Sequence, residues 1–157
     1  EQNEHPVVIR VPFASYEAGK PDTTDYSVLN KYETAEQGDT VALIGAGDFF
    51  GLAKQVKELL KKDGIDATLI NPKFLTGLDA ELLNGLKKGH RVVATLENGV
   101  LDGGFGEKIA RFYGADAMKT LCFGADKEFT DRVPMNELLT RFHLTPEQIA
   151  ADIKAAL

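Results

Sequence analysis

"DTVALIGAGDFFG" occupies Asp39 to Gly51. Val41 to Ile44 is an uninterrupted apolar run, the pattern of a strand covered on both faces. Gly45, Gly47 and Gly51 follow, and the rhythm then turns helical. In "FGLAKQVKELLKKDG", Leu52, Val56, Leu59 and Leu60 fall on one face, with Lys and Glu opposite. That Lys-rich face reads as solvated. Gly64 stands where a helix C′ glycine belongs, behind Lys61 and Lys62. A buried-type strand, a glycine turn and an amphipathic helix predict one unit of an α/β fold.

The same alternation continues. "ATLIN", "RVVATLE" and "KTLCF" predict three more strands, and "DAELLNGLKKG" and "GGFGEKIARFYG" predict the helices between them. Such alternation implies a parallel sheet with helices on both faces. Upstream, "YSVLNKYETAEQGD" predicts a half-polar strand over 27–34, suited to a sheet edge. At the far end Thr145 is a good N-cap, Pro146 takes N1, and Gln148 can complete a capping box. "HPVVIRVPF" predicts a short strand, Val7 to Val11, closed by Pro12. "ASYEAGKPDTTD" behind it is polar, turn-rich and aperiodic, and reads as a linker.

Composition narrows the function classes. Apolar residues make up 43% and charged residues 27% of the 157, an ordinary globular balance. The net charge of -6 argues against nucleic-acid binding, which needs a basic face. No apolar run approaches the roughly 20 residues that span a bilayer. Cys122 is the only cysteine, so no disulfide framework or thiolate metal cluster is expected. A reducing, cytoplasmic setting fits, and no signal peptide is expected. The chain opens on Glu1 rather than Met, as expected of a piece of a longer protein.

The glycine turn invites a dinucleotide reading. That fingerprint needs G-x-G-x-x-G, with the third glycine admitting close helix–strand packing. Gly45 and Gly47 fit, but Phe50 holds the third position. The fingerprint also wants an acid at the end of the second strand to hold a ribose hydroxyl. That strand ends on Asn71 and Pro72. With two confirming features missing, the turn reads as structural.

A second glycine cluster, "LENGVLDGGFGEK", is more unusual. Glu97 and Asn98 end a strand, where open α/β sheets place their sites. Gly103, Gly104 and Gly106 then open a helix whose first amides are suited to an anion. A subunit contact and a small-ligand site are both compatible with this loop. Its plain alternative is a connection that needs left-handed residues. His5, His90 and His143 lie far apart at element margins, where histidines are usually surface or hydrogen-bonded residues, and no carboxylate spacing suggests a metal. Cys122 reads as an inert core residue.

Together these stretches resemble the C-terminal domain of the transketolase-like thiamine diphosphate enzymes. "TVALIGAGDFFGLAKQVKELLKKDGIDATLINPKFLTGLDAELL" resembles that domain's opening, although the turn Thr76, Gly77, Leu78, Asp79 departs in its first half. "LENGVLDGGFGEKI" resembles the family's v-e-e-n-g-x-x-g-G-f-G loop. "FGADKEFTDRVPMNELLTRFHLTPEQIAADI" resembles its tail. The resemblance covers about residues 28–157. It implies a three-layer α/β/α domain with a five-stranded, mostly parallel sheet whose first strand runs antiparallel. Strands are then expected near 28–34, 40–46, 66–71, 91–97 and 118–123.

"PVVIRVPF" resembles the last strand of the pyrimidine-binding domain that precedes this one in the family. Residues 1–20 are then the tail of that domain and 21–27 a linker. In the 1-deoxy-D-xylulose-5-phosphate synthase group the strand carries R-Y-P-R-G, whose first arginine holds a substrate phosphate. Arg10 matches it, whereas Phe13 and Ala14 depart. The plain alternative for Arg10 is a strand-edge arginine in an ordinary salt bridge.

The resemblance also implies what the chain lacks. The family's G-D-G motif, which with a downstream asparagine holds magnesium, has no counterpart here. The glutamate that protonates the aminopyrimidine ring lies upstream of the matched strand. The chain is therefore expected to carry no catalytic residue, cofactor or metal of its own. Thiamine diphosphate and magnesium belong to a parent transferase of two-carbon units, of the 1-deoxy-D-xylulose-5-phosphate synthase group or, second, transketolase itself. This domain's share would be homodimer contact and bracing of the catalytic domains. A nucleotide-binding or oxidoreductase module built on Gly45 and Gly47 and a non-catalytic interaction domain stay open as rivals.

Overall fold

A computed structural model describes Pro6, Val8, Ile9 and residues 25–157. Among the described residues, five strands form one sheet: β1 (Glu33–Glu36), β2 (Thr40–Gly45), β3 (Thr68–Asn71), β4 (His90–Val100) and β5 (Lys119–Ala125). The helices are α1 (Phe49–Lys62), α2 (Ala80–Leu86), α3 (Phe105–Tyr113), α4 (Met135–Arg141) and α5 (Pro146–Ala156). The strand order is β1-β3-β2-β4-β5. Only β1 runs antiparallel, pairing Glu33 with Asn71, and the other four are parallel. No helix of the described residues is long and apolar enough to cross a membrane.

The apolar run of β2 is buried on both faces because the layers on each side differ. Val41 and Leu43 face α1 and α5, meeting Val56, Leu60, Ile149 and Ile153. Ala42 and Ile44 face α2 and α3, meeting Leu83, Phe105, Ile109 and Tyr113. The result is a three-layer α/β/α domain. Thr145 accepts from the Gln148 amide and closes the capping box at α5, and Gly64 takes φ +79 behind α1.

Four details differ from the sequence reading. The first strand begins at Glu33, not near residue 27. Asp25 accepts from the Ser27 amide at 2.9 Å and Asn30 takes φ 59, so turn chemistry holds the preceding stretch out of the sheet. β4 does not stop at Glu97 but continues to Val100 after a register break, rejoining β5 at Ala125. Lys57 is not solvated: it is 3% exposed, donating to Asp66 at 2.7 Å and to the Ala67 carbonyl. Its apolar stem runs along the core while Asp66, just past α1, satisfies its charge. Cys122 is half-buried rather than a full core residue.

His90, at the start of β4, is hydrogen-bonded on both ring nitrogens. Nδ1 faces the Leu86 carbonyl at 3.2 Å and Nε2 faces the Thr68 hydroxyl at 2.8 Å. Thr68 Oγ1 already accepts from the Gly38 amide and from Gln37 Nε2, so its own hydrogen is directed at His90 Nε2. The ring is thus a neutral Nδ1–H tautomer. Burial pushes its pKa below the ordinary 6.5, against weaker upward pulls from the Leu86 carbonyl and from Asp39. The unfolded chain therefore binds the extra proton more readily. His90's contribution is complete above about pH 6.5 and lost as pH falls below it toward the lowered folded pKa. Urea midpoints should decline across that acidic window, and His90→Gln should flatten the decline. An identical pH profile in His90→Gln would remove His90 as its cause.

Candidate functional site

All four parallel strands end at one edge, and the chain order reverses between β2 and β4. Crevices at such switch points are where open α/β sheets receive ligands. Two glycine turns meet at this one.

The first turn engages most of its own donors. The amides of Phe49, Phe50 and Gly51 donate to the carbonyls of Ala46, Gly47 and Asp48 at 3.1, 3.1 and 3.2 Å. The Ala46 amide donates across to Leu96 at 2.8 Å. A pyrophosphate needs such amides pointing outward. Gly47 supplies the left-handed residue, φ 58. A Cβ on Gly45 would stand 2.7 Å from Phe50 Cα and 2.9 Å from Ala53 Cβ. Close helix–strand packing thus falls to the strand's own glycine, and Phe50 is free to replace the fingerprint's third one. Asn71, where that fingerprint wants an acid, accepts instead from the Lys73 amide at 3.1 Å and turns the chain.

The second turn is built around Glu97. Its side chain folds under α3 and accepts from the Phe105 amide on Oε2 and the Gly106 amide on Oε1, both at 2.8 Å. Glu97 is only 8% exposed. The carboxylate therefore holds the positive end of α3, the place an exogenous anion would take. The glycines make room for it. A Cβ on Gly104 would lie 2.6 Å from Glu97 Oε1, and one on Gly106 would lie 2.7 Å from Thr95 Oγ1 and 3.0 Å from Cys122 Sγ. Gly103, at φ +72, donates to Glu107 at 2.9 Å, and the Gly104 amide donates to Leu101 at 2.8 Å.

Asn98 joins the two turns, its Nδ2 donating to Asp48 Oδ2 at 2.6 Å. The structure thus brings together Glu97, Asn98, Gly103, Gly104 and Gly106 in one knot. Sequence reasoning missed Asp48, whose signal was its place at the head of α1. Arg10 lies outside the described residues, as does His5. Burial pushes the Cys122 thiol up, against the Thr95 hydroxyl beside it, which keeps it protonated and unreactive. His143 faces Asp152 at 3.4 Å. No group of three metal-ligating side chains is assembled among the described residues.

Beside the second turn lies an open cleft of about 510 Å³, lined by Thr76, Gly77, Leu78, Gly103, Gly104, Glu107, Lys108 and Arg111. Lys108, on its lining, donates to the Leu75 carbonyl at 2.8 Å. The amides of Gly103, Gly104, Phe105 and Gly106 beside it are already engaged.

Residues 30–149 match the family described as the transketolase C-terminal domain. The chain is 33% identical over 160 residues to a 1-deoxy-D-xylulose-5-phosphate synthase of Symbiobacterium thermophilum, covering 99% of this chain and 24% of that protein. It is 34% identical over 157 residues to the synthase of the same name from Gloeobacter violaceus, covering 97% and 24%. The chain thus spans about a quarter of these relatives' length. Among solved structures, one described as a split gene transketolase, inactive beta4 tetramer, superposes with a TM-score of 0.74 at 22% identity, covering 89% of this chain and 47% of that one. That likeness is one of fold.

Proposed function

The chain belongs to the transketolase C-terminal domain family, and from that premise we propose that it is the C-terminal domain of a thiamine diphosphate-dependent transferase of the 1-deoxy-D-xylulose-5-phosphate synthase group, serving dimer contact and bracing rather than chemistry. Residues 1–20 are then the end of the preceding pyrimidine-binding domain, 21–27 a linker, and 28–157 the domain itself. Thiamine diphosphate and magnesium belong to the catalytic domains, which hold and orient the cofactor. The compartment is cytoplasmic.

One observation carries the contact role. From residue 25 onward, the exposed large apolar residues are Tyr26, Val28, Leu29, Leu75, Val100, Phe129 and Met135. Leu75 follows β3, Val100 ends β4, and Phe129 and Met135 follow β5. β1 is antiparallel, so Tyr26, Val28 and Leu29 enter from the same edge. Apolar side chains gathered on one edge, over turns that spend most of their amides, suit a rigid contact surface better than a ligand pocket. Fully exposed Phe129 is the natural anchor.

The full-length protein carrying this chain should be a dimer, and the triple change Leu75→Asp, Val100→Asp and Phe129→Ser should weaken it by at least about a hundredfold. Sedimentation velocity would report this, with circular dichroism of the same variant guarding against misfolding. A folded variant that sediments as the unaltered dimer would sink the contact reading.

A further inference from the structure

Two Asn-Gly pairs occur in the chain, Asn84–Gly85 and Asn98–Gly99. They sit in opposite circumstances. Asn84 lies within α2, its carbonyl accepting from the Lys87 amide at 3.3 Å. Helical backbone holds the next amide away from the asparagine side chain. Asn98 and Gly99 are both exposed and fall inside the register break of β4, between the paired residues Leu96 and Val100. Neither has a partner residue across the ladder in β5. Gly99 brings no Cβ to hinder a ring closing on its nitrogen. The side-chain bond that holds Asn98, to Asp48, is exposed.

We propose that Asn98–Gly99 is a deamidation site, and that conversion of Asn98 opens the clasp between the two turns of the carboxyl edge. The Gly99 amide nitrogen attacks Asn98 Cγ. The new N–Cγ bond forms as the Cγ–Nδ2 bond breaks, and the Gly99 amide proton leaves with Nδ2 as ammonia. Water then opens the cyclic imide at either carbonyl, giving aspartate with the peptide bond restored, or isoaspartate with one extra backbone atom. No oxidant or reductant takes part. Either product replaces the donor Nδ2 by a carboxylate beside Asp48, where the two groups now stand at hydrogen-bond distance. Two like charges there repel, and the bond between the turns is lost. Isoaspartate also displaces the end of β4.

The test keeps the whole chain in mildly alkaline buffer and follows both asparagines by peptide mass mapping with isoaspartyl detection. Asn98 should convert at least about tenfold faster than Asn84, which reacts only when α2 opens locally. Gly99→Ala should slow conversion at Asn98 alone. The substitution is sterically mild, since the nearest atom to its Cβ is Glu97 Oε2 at 3.8 Å. Equal rates at the two sites, or no effect of Gly99→Ala, would overturn the assignment. Asn98→Asp, as the product's mimic, should speed hydrogen exchange over 46–51 by about fivefold. Asp48→Asn in that background should restore protection by swapping donor and acceptor. Unchanged exchange in Asn98→Asp would overturn the clasp as the element that opens.

Discussion

Glu97→Ala should lower the domain's unfolding free energy by about 3–5 kcal/mol, a loss readable from urea unfolding. The side chain is almost wholly buried and its two carboxylate oxygens each accept from one amide of the first turn of α3. A hydrogen bond to a charged group contributes about 1.5–3 kcal/mol, and removing the acceptor leaves both amides unsatisfied beneath the loop. The dipole of α3 then loses its counter-charge as well. Glu97→Gln keeps one acceptor but turns an NH₂ toward the other amide, so it should recover no more than about half. Glu107→Ala is the matched control. It removes an exposed carboxylate that accepts from Gly103, and should cost under about 1 kcal/mol. Hydrogen exchange at Phe105 and Gly106 should accelerate in Glu97→Ala before that of β2. A loss below about 1 kcal/mol would show that solvent serves those amides as well as Glu97 does, and the knot would lose its centre.

Much of the fold is legible in the sequence because its strongest signals are local. The run Val41–Ile44, closed at once by Gly45, reads as a strand buried on both sides, and the Thr145–Gln148 box fixes its own helix start within four residues. The antiparallel β1 is not local, and came from resemblance. What escaped reading depends on partners distant in sequence. Lys57 lies one turn from Ala53 and Leu60, on the edge of the buried stripe, yet its charge placed it outside. Its release from that rule is Asp66, nine residues on. β4 runs past Glu97 because β5 supplies Ala125 to pair with Val100, although the apolar pattern ends at Leu96. Glu97 and its glycines were visible as a cluster, and the direction of the effect was not. The same residues that suggest an anion site hold the chain's own anion, because Gly104 leaves the space a side chain would fill. Asn98 and Asp48 are fifty residues apart, and only the switch in strand order brings them together.

In the full-length transferase of our proposal, Arg10→Ala should raise the Michaelis constant for the phosphorylated substrate by about one to two decades. The motive is the match of Arg10 and Pro12 to the R-x-P of the 1-deoxy-D-xylulose-5-phosphate synthase group, in which the arginine holds a substrate phosphate. A guanidinium offers a planar fork that meets two phosphate oxygens at once, and losing such a charge-assisted contact costs about 1.5–3 kcal/mol. The phosphate lies away from the reacting carbons, so the contact serves ground state and transition state alike, and the turnover number at saturation should change far less than the Michaelis constant. Arg10→Lys should recover only part, since an ammonium cannot make the fork. Phosphite or sulfate, offered as a competitor, should inhibit the unaltered protein more strongly than the alanine variant. Stability of the isolated chain should barely change, because on this reading Arg10 belongs to the preceding domain and not to the core assembled by β2, β3 and β4. An unaltered Michaelis constant in folded Arg10→Ala protein would reduce Arg10 to an ordinary strand-edge arginine. It would also move the choice of parent from the 1-deoxy-D-xylulose-5-phosphate synthase group toward transketolase itself.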